Sequence, residues 1–169
     1  MEEIKIREAA AEDAEAMIDY MKIIGGETDN LTFDGAGLPI TVEQEKDFLR
    51  NVRNDKTSVY LFACKDGEII GSGSLSGLPR RMSHRAELGI AVKKAYWGRG
   101  VGTMLMERLL TYARENGIEL INLEVRKDNE SAVHLYEKFG FKSIGISPAF
   151  FKINDTYIDF ELMYLDLRV

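Results

Sequence analysis

The run Ile90-Ala91-Val92-Lys93-Lys94-Ala95-Tyr96-Trp97-Gly98-Arg99-Gly100-Val101-Gly102-Thr103 constrains this chain more than any other segment. It passes from a strand-like stretch, through glycines at every second position, straight into a helical stripe. Glycine lets the main chain approach a ligand closely, and the unpaired N–H groups of a helix start favour an anion. The segment therefore reads either as a cradle for a phosphate or pyrophosphate, or as a plain glycine turn between strand and helix. Two other phosphate motifs are excluded. A P-loop needs G-x-x-x-x-G-K-[S/T], and the chain contains no Gly-Lys pair. The dinucleotide fingerprint G-x-G-x-x-G opens a repeated βαβ unit, whereas here the spacing is G-x-G-x-G and several strands precede it.

Around this segment, short β-type runs alternate with helical ones. Ile4-Lys5-Ile6-Arg7 alternates as a strand does, and Ala14, Met17, Ile18 and Met21 recur as the stripe of an amphipathic helix. Gly25 to Pro39, rich in Gly, Asp, Asn and Thr, reads as a long loop of the kind that is functional or mobile. Thr41 and Gln44 form a capping box that opens a helix running to about Asn54. Val59–Cys64 and Glu68–Leu75 are strands joined at Asp66-Gly67, a strong hairpin signal. Arg85–Val92 is a further strand, with Ala86, Leu88, Ile90 and Val92 on one face. A helix over Val101–Asn116 ends at Gly117, and Ile118–Val125 is a strand. Ala132, Val133, Leu135, Tyr136 and Phe139 stripe a helix stopped by Gly140. Phe141–Ile153 and Tyr157–Leu167 close the chain as two strands around Asn154-Asp155. The order β-α-α-β-β-β-α-β-α-β-β predicts an α/β protein with a mixed sheet. No Pro/Gly/Ser-rich linker divides it, so residues 1–169 read as one domain.

Charge and cysteine usage narrow the partners. With 22 Lys plus Arg against 28 Asp plus Glu the net charge is −6, poorly suited to a phosphate backbone. The one cysteine, Cys64, cannot form an internal disulfide and reads as a small buried hydrophobe in a reducing cytosol. Met1-Glu2-Glu3-Ile4-Lys5 has no apolar signal core, and Val59–Cys64, the longest apolar run, is far below a membrane span of roughly 18 residues. A cytoplasmic protein away from membranes is expected. No H-E-x-x-H occurs, and His84 and His134 lie far apart in sequence, so metal chemistry has no support.

The chain resembles the GNAT superfamily of acetyl-CoA-dependent N-acetyltransferases from Ile4 to Leu167. Two motifs carry the resemblance: Gly98-Arg99-Gly100-Val101-Gly102 after Gly89-Ile90-Ala91-Val92, and Asn129-Glu130-Ser131-Ala132-Val133-His134-Leu135-Tyr136-Glu137-Lys138-Phe139-Gly140-Phe141. The family's loop is written Q/R-x-x-G-x-G/A, and Trp97 stands where Gln or Arg is expected. The loop works mainly through main-chain N–H groups, so this departure weakens the match little. The resemblance implies a mixed, mostly antiparallel sheet of about seven strands flanked by about four helices, and it makes a homodimer plausible. It also implies that the backbone of Ile90, Ala91 and Val92 pairs with the pantetheine arm of acetyl-CoA. The amides of Gly98, Arg99, Gly100, Val101, Gly102 and Thr103 would then hold the pyrophosphate. Asn129 would bond the cofactor arm, and Tyr136 would lie near the thioester sulfur.

Each of these residues has a plainer reading beside the functional one. Asn129 is a good helix N-cap, and Tyr136 shares its stripe with core residues. The chemistry asks for a base, because an alkylammonium has a pKa of about 10.4 and must lose a proton before attack. Glu87, on the strand leading to the glycine loop, is the candidate; its alternative is an ion pair with Arg85 or another cation. Tyr136 is the candidate acid for the departing thiolate. Asp159 and Glu27-Thr28-Asp29-Asn30 read either as cation-binding groups or as solvated loop charges, and Tyr96 and Trp97 as braces of the loop. A non-catalytic acyl-CoA-binding module on the same fold is the rival function.

Overall fold

The computed structural model describes residues 3–168. Met1 and Glu2, at the start of the segment read above as lacking a signal core, lie outside the described residues, as does Val169. One seven-stranded sheet runs in the order β1-β2-β3-β4-β5-β7-β6. Its strands are β1 (Lys5–Glu8), β2 (Val59–Lys65), β3 (Glu68–Gly77), β4 (Arg85–Val92), β5 (Leu120–Arg126), β6 (Lys142–Ile153) and β7 (Thr156–Asp166). Four α-helices accompany it: α1 (Ala14–Glu27), α2 (Val42–Asn54), α3 (Val101–Glu115) and α4 (Glu130–Lys138). The fold is the mixed, mostly antiparallel α/β sheet expected, β4–β5 being the one parallel pairing among the described residues.

Local chemistry accounts for most boundaries. The hairpin β2–β3 turns on Asp66 and Gly67, both at positive φ (51° and 77°), the geometry whose twist matches flanking strands. Asn154 and Asp155, at 49° and 62°, do the same between β6 and β7. Thr41 caps α2: its hydroxyl accepts from Gln44 N at 3.1 Å, and Gln44 Oε1 accepts from Thr41 N at 2.8 Å. β5 begins two residues later than predicted. Ile118 is spent closing α3, its N–H donating to the Ala113 carbonyl at 3.0 Å beyond Gly117 at φ +73°.

The long loop expected from Gly25 begins later. Gly25, Gly26 and Glu27 continue α1, because these glycines serve close approach rather than helix breaking. A Cβ on Gly25 would stand 2.2 Å from the Asp34 carbonyl oxygen, where the following loop folds back on the helix. The start of that loop, residues 28–41, is tied down by two contacts with distant segments. The Glu27 carboxylate accepts the Lys94 N–H at 2.7 Å, and the Arg126 guanidinium donates to the Asp29 carbonyl at 3.3 Å.

Both faces of the sheet centre are covered. Leu61 and Ala63 pack with α3, while Phe62 between them packs with α1 and α2, the alternation of a strand buried on two sides. Leu105 of α3 is fully buried in the larger cluster. Leu105→Ala should destabilise the protein by about 2–5 kcal/mol, read by urea unfolding; a loss under about 1 kcal/mol would show that the site collapses freely.

Candidate active site

The sheet opens where its one parallel pair stops. β4 pairs β5 only from Arg85 to Glu87, opposite Leu120 to Asn122, yet β4 continues to Val92 and β5 to Arg126. The free edge can be read residue by residue. Lys93 N donates to Ile70 O at 2.9 Å, so by antiparallel alternation Ala91 spends its main-chain groups on Ser72. The Ala91 carbonyl also accepts the Tyr20 hydroxyl at 3.0 Å. Ile90 and Val92 point the other way, toward the gap. The Val92 carbonyl is taken by the Trp97 indole N–H at 2.8 Å. The groups left facing the gap are the N–H and C=O of Ile90 and the N–H of Val92. Of the three residues expected to pair with a ligand, Ala91 therefore has its main-chain groups turned to β3, and Trp97 braces the loop against the end of β4.

At the end of this edge stands the glycine segment. The first α3 bond outside the helix proper is Met104 N to Gly100 O at 3.0 Å, and the amides from Gly98 to Thr103 meet no acceptor among the described residues. Gly98 and Gly100 hold φ of +70° and +81°, and a Cβ at either would meet nothing within 4 Å. The cradle is therefore open and lined by unpaired donors. Gly102 differs, since a Cβ there would stand 3.1 Å from Leu135 of α4, so its smallness serves helix packing. The Arg99 guanidinium lies 5.4 Å above the Tyr96 ring, adding a cation beside the cradle.

Across the gap stands α4. A cleft of about 470 Å³ has Ile90 to Val92 on one wall, Asn129, Ala132 and Tyr136 on the other, and the glycine loop at its end. Asn129 caps α4, its Oδ1 accepting from Ala132 N at 3.4 Å, which leaves the side-chain NH₂ free to donate. Tyr136 is buried, and burial pushes its phenol up to about 12. Its hydroxyl bonds no described group and is not an enclosed orphan, so it opens on the cleft.

A second cleft of about 390 Å³ shares Tyr136 and Asn129 with the first and continues to the other side of the sheet opening. Glu124 lines it; Glu87 does not. Glu124 has its pKa raised, first by desolvation against the cleft wall and then by the negative charge of Glu87. Arg85 does not pair with Glu87 but donates to Asn122 Oδ1 at 2.6 Å. Sequence reasoning missed Glu124. Alternation on β5 sets Asn122, Glu124 and Arg126 on one face, but only the parallel pairing brings that face beside Glu87.

The early-loop residues Leu31 and Phe33 and the aromatic rings Phe150, Phe151 and Phe160 complete this second cleft. The rings meet because β6 bulges: Ser147 faces Phe160 and Phe151 faces Ile158, so β6 holds two extra residues in that interval. Ala149 lies in the bulge at φ +52°, its N–H donating to Asp159 Oδ1 at 2.9 Å. Asp159, weighed above as a cation binder, is thus engaged in fixing the bulge. Among the described residues no cluster of His, Cys, Asp and Glu could hold a metal ion, and no helix is long and apolar enough to cross a membrane.

The comparisons agree with this geometry. The profile of the Acetyltransferase (GNAT) family matches residues 29–141. The N-alpha-acetyltransferase RimI of Mycobacterium tuberculosis is 35% identical over 101 residues, covering 58% of this chain and 62% of that protein. The match thus spans less than two thirds of that relative. A GNAT-family acetyltransferase from Streptococcus pneumoniae superposes with a TM-score of 0.94 at 32% identity, over 97% of this chain and 99% of that one. The yncA protein of Salmonella typhimurium, solved with its cofactor acetyl-CoA, has the same fold: TM-score 0.86 at 19% identity, over 99% and 95% of the two chains. This chain belongs to the GNAT family of acetyltransferase enzymes.

Proposed function

We propose that the protein transfers the acetyl group of acetyl-CoA directly to a primary amine, with both substrates held at once in the opened sheet. The observation that carries this reading is the alignment of three features along one gap. An unpaired β4 edge leads at one end to an open cradle of main-chain donors, and at the other Tyr136 lines both clefts and shares the second with Glu124. The Ile90 and Val92 groups bond the pantetheine arm as an added strand, and the Asn129 NH₂ donates to it from α4. The amides from Gly98 to Thr103, with the α3 dipole behind them, hold the pyrophosphate. Acetyl-CoA supplies the activated acyl carbon.

Glu124, with Glu87 beside it, takes the proton that the ammonium must lose. The neutral amine nitrogen forms its bond to the thioester carbon, the carbon–sulfur bond breaks, the Tyr136 hydroxyl gives its proton to the departing thiolate, and the proton that the acylated nitrogen must still shed to become an amide returns to the phenolate. A protein that only bound acyl-CoA would need the edge and the cradle but neither Glu124 nor Tyr136. A reducing compartment such as the cytoplasm suits the free Cys64. The homodimer drawn from the family resemblance is read by sedimentation of the purified protein.

The cradle is tested by Gly100→Val. A side chain there enters the open space and is strained at φ +81°, so acetyl-CoA affinity should fall at least about tenfold by calorimetry. Gly98→Ala is the milder companion. A folded Gly100→Val protein with unchanged affinity would show that the pyrophosphate lies elsewhere.

A further inference from the structure

The second cleft has a composition that speaks to its occupant. Phe150, Phe151 and Phe160 pack with centroids 4.4–5.8 Å apart beside the Asp159-held bulge, and they line the same cleft as Phe33 and Leu31 of the early loop. Phe150 is 43% exposed, an aromatic surface left open where burial would be favourable. Among the described residues, Glu124 is the sole acidic residue on this cleft's wall and Arg126 the sole cation. Arg126 is already neutralised: its Nε and Nη2 donate to the two Asp128 carboxylate oxygens at 2.9 and 2.8 Å, and Nη1 donates to the Asp29 carbonyl.

We infer that the acceptor is a primary amine borne on a bulky apolar or aromatic body, with no carboxylate beside the amine. This rests on the acetyl-transfer reading above and names the substrate class of the same site. A lone carboxylate, Glu124, meets one ammonium group; a polyamine or an amino sugar would call for further acids along the wall. An amine next to a free carboxylate would need an unpaired cation, and the one cation present is held by Asp128. The aromatic cluster then receives the apolar body by area burial and ring packing. An arylalkylamine fits this description, as does an amide-linked α-amine with a bulky apolar side chain.

The test uses 2-phenylethylamine, ethylamine, spermidine, phenylalanine and phenylalaninamide as probes. Calorimetry on the CoA-loaded protein should show 2-phenylethylamine binding about ten- to a hundredfold tighter than ethylamine. With acetyl-CoA, kcat/KM should follow the same order, and phenylalaninamide should exceed phenylalanine by about tenfold or more. In a Phe150→Ala/Phe151→Ala double variant the ratio of 2-phenylethylamine to ethylamine should collapse toward one. Equal or better binding of phenylalanine, spermidine or ethylamine would overturn the inference, as would an unchanged ratio in the double variant. Tight binding of 2-phenylethylamine with no release of CoA thiol would overturn the acetyl-transfer reading and leave the acceptor class standing. Transfer to hydrophilic amines alone would do the reverse.

Discussion

Glu124→Gln lowers kcat/KM at neutral pH by roughly 10²–10⁴-fold, the range expected when a general base is removed. The loss shrinks as pH rises, because more of the amine is already neutral and needs no base. In the unaltered protein the acid limb of the pH profile should lie above the ordinary carboxylate value of about 4.3, since cleft burial and then the Glu87 charge raise the Glu124 pKa and the base acts only when deprotonated. Glu87→Gln removes the like charge, so it should move that limb to lower pH with a smaller effect on the plateau. The opposite pattern assigns the base to Glu87: a collapse of rate in Glu87→Gln and a mere shift in Glu124→Gln. Normal rates and profiles in both variants would remove carboxylate catalysis from the mechanism.

Tyr136→Phe should cut turnover by about tenfold to a thousandfold while acetyl-CoA affinity changes little, the pattern of an interaction made mainly in the transition state. The substitution deletes one hydroxyl and keeps the ring, whose centroid lies 5.8 Å from that of Phe141 in a tilted pair. Packing is therefore nearly preserved, and unfolding midpoints should stay close. Burial pushes the phenol up to about 12, so it remains protonated at any pH at which the enzyme is assayed. A proton held that firmly is of most use when the acceptor is a basic thiolate. The loss should then shrink with a thioester donor whose leaving thiol is more acidic. Full turnover in Tyr136→Phe, under conditions where chemistry limits the rate, would make Tyr136 a packing residue only.

The parts of this arrangement that local sequence could show were those governed by short-range rules. The Asp66-Gly67 and Asn154-Asp155 turns, the Thr41–Gln44 capping box and the periodicities of β4, α3 and α4 all depend on residues within a turn or two of one another. The glycine loop was legible for the same reason, since its conformation and its unpaired donors belong to one segment. What escaped were features made by distant segments meeting. Gly25 looked like a helix breaker because its reason, the Asp34 carbonyl against the helix, lies nine positions away across the fold. Glu124 was not singled out at all, because its place beside Glu87 and on the cleft wall comes from strands that meet only in the fold. Ala91, expected to face the ligand, is turned to Ser72 and Tyr20 by a register that strand patterning alone does not specify. The Phe150–Phe151–Phe160 cluster depends on a bulge whose extra residues only pairing with β7 reveals.

Initial-velocity kinetics with both substrates varied test the central claim most directly, that acetyl passes from thioester to amine within one opened sheet. With acetyl-CoA and 2-phenylethylamine, or whichever amine is turned over fastest, double-reciprocal plots should intersect, because both substrates must be bound before any product leaves. Parallel lines, accompanied by a stable acetylated protein that forms when acetyl-CoA is supplied alone, would mean that the acetyl group passes through the chain first, and would contradict the account.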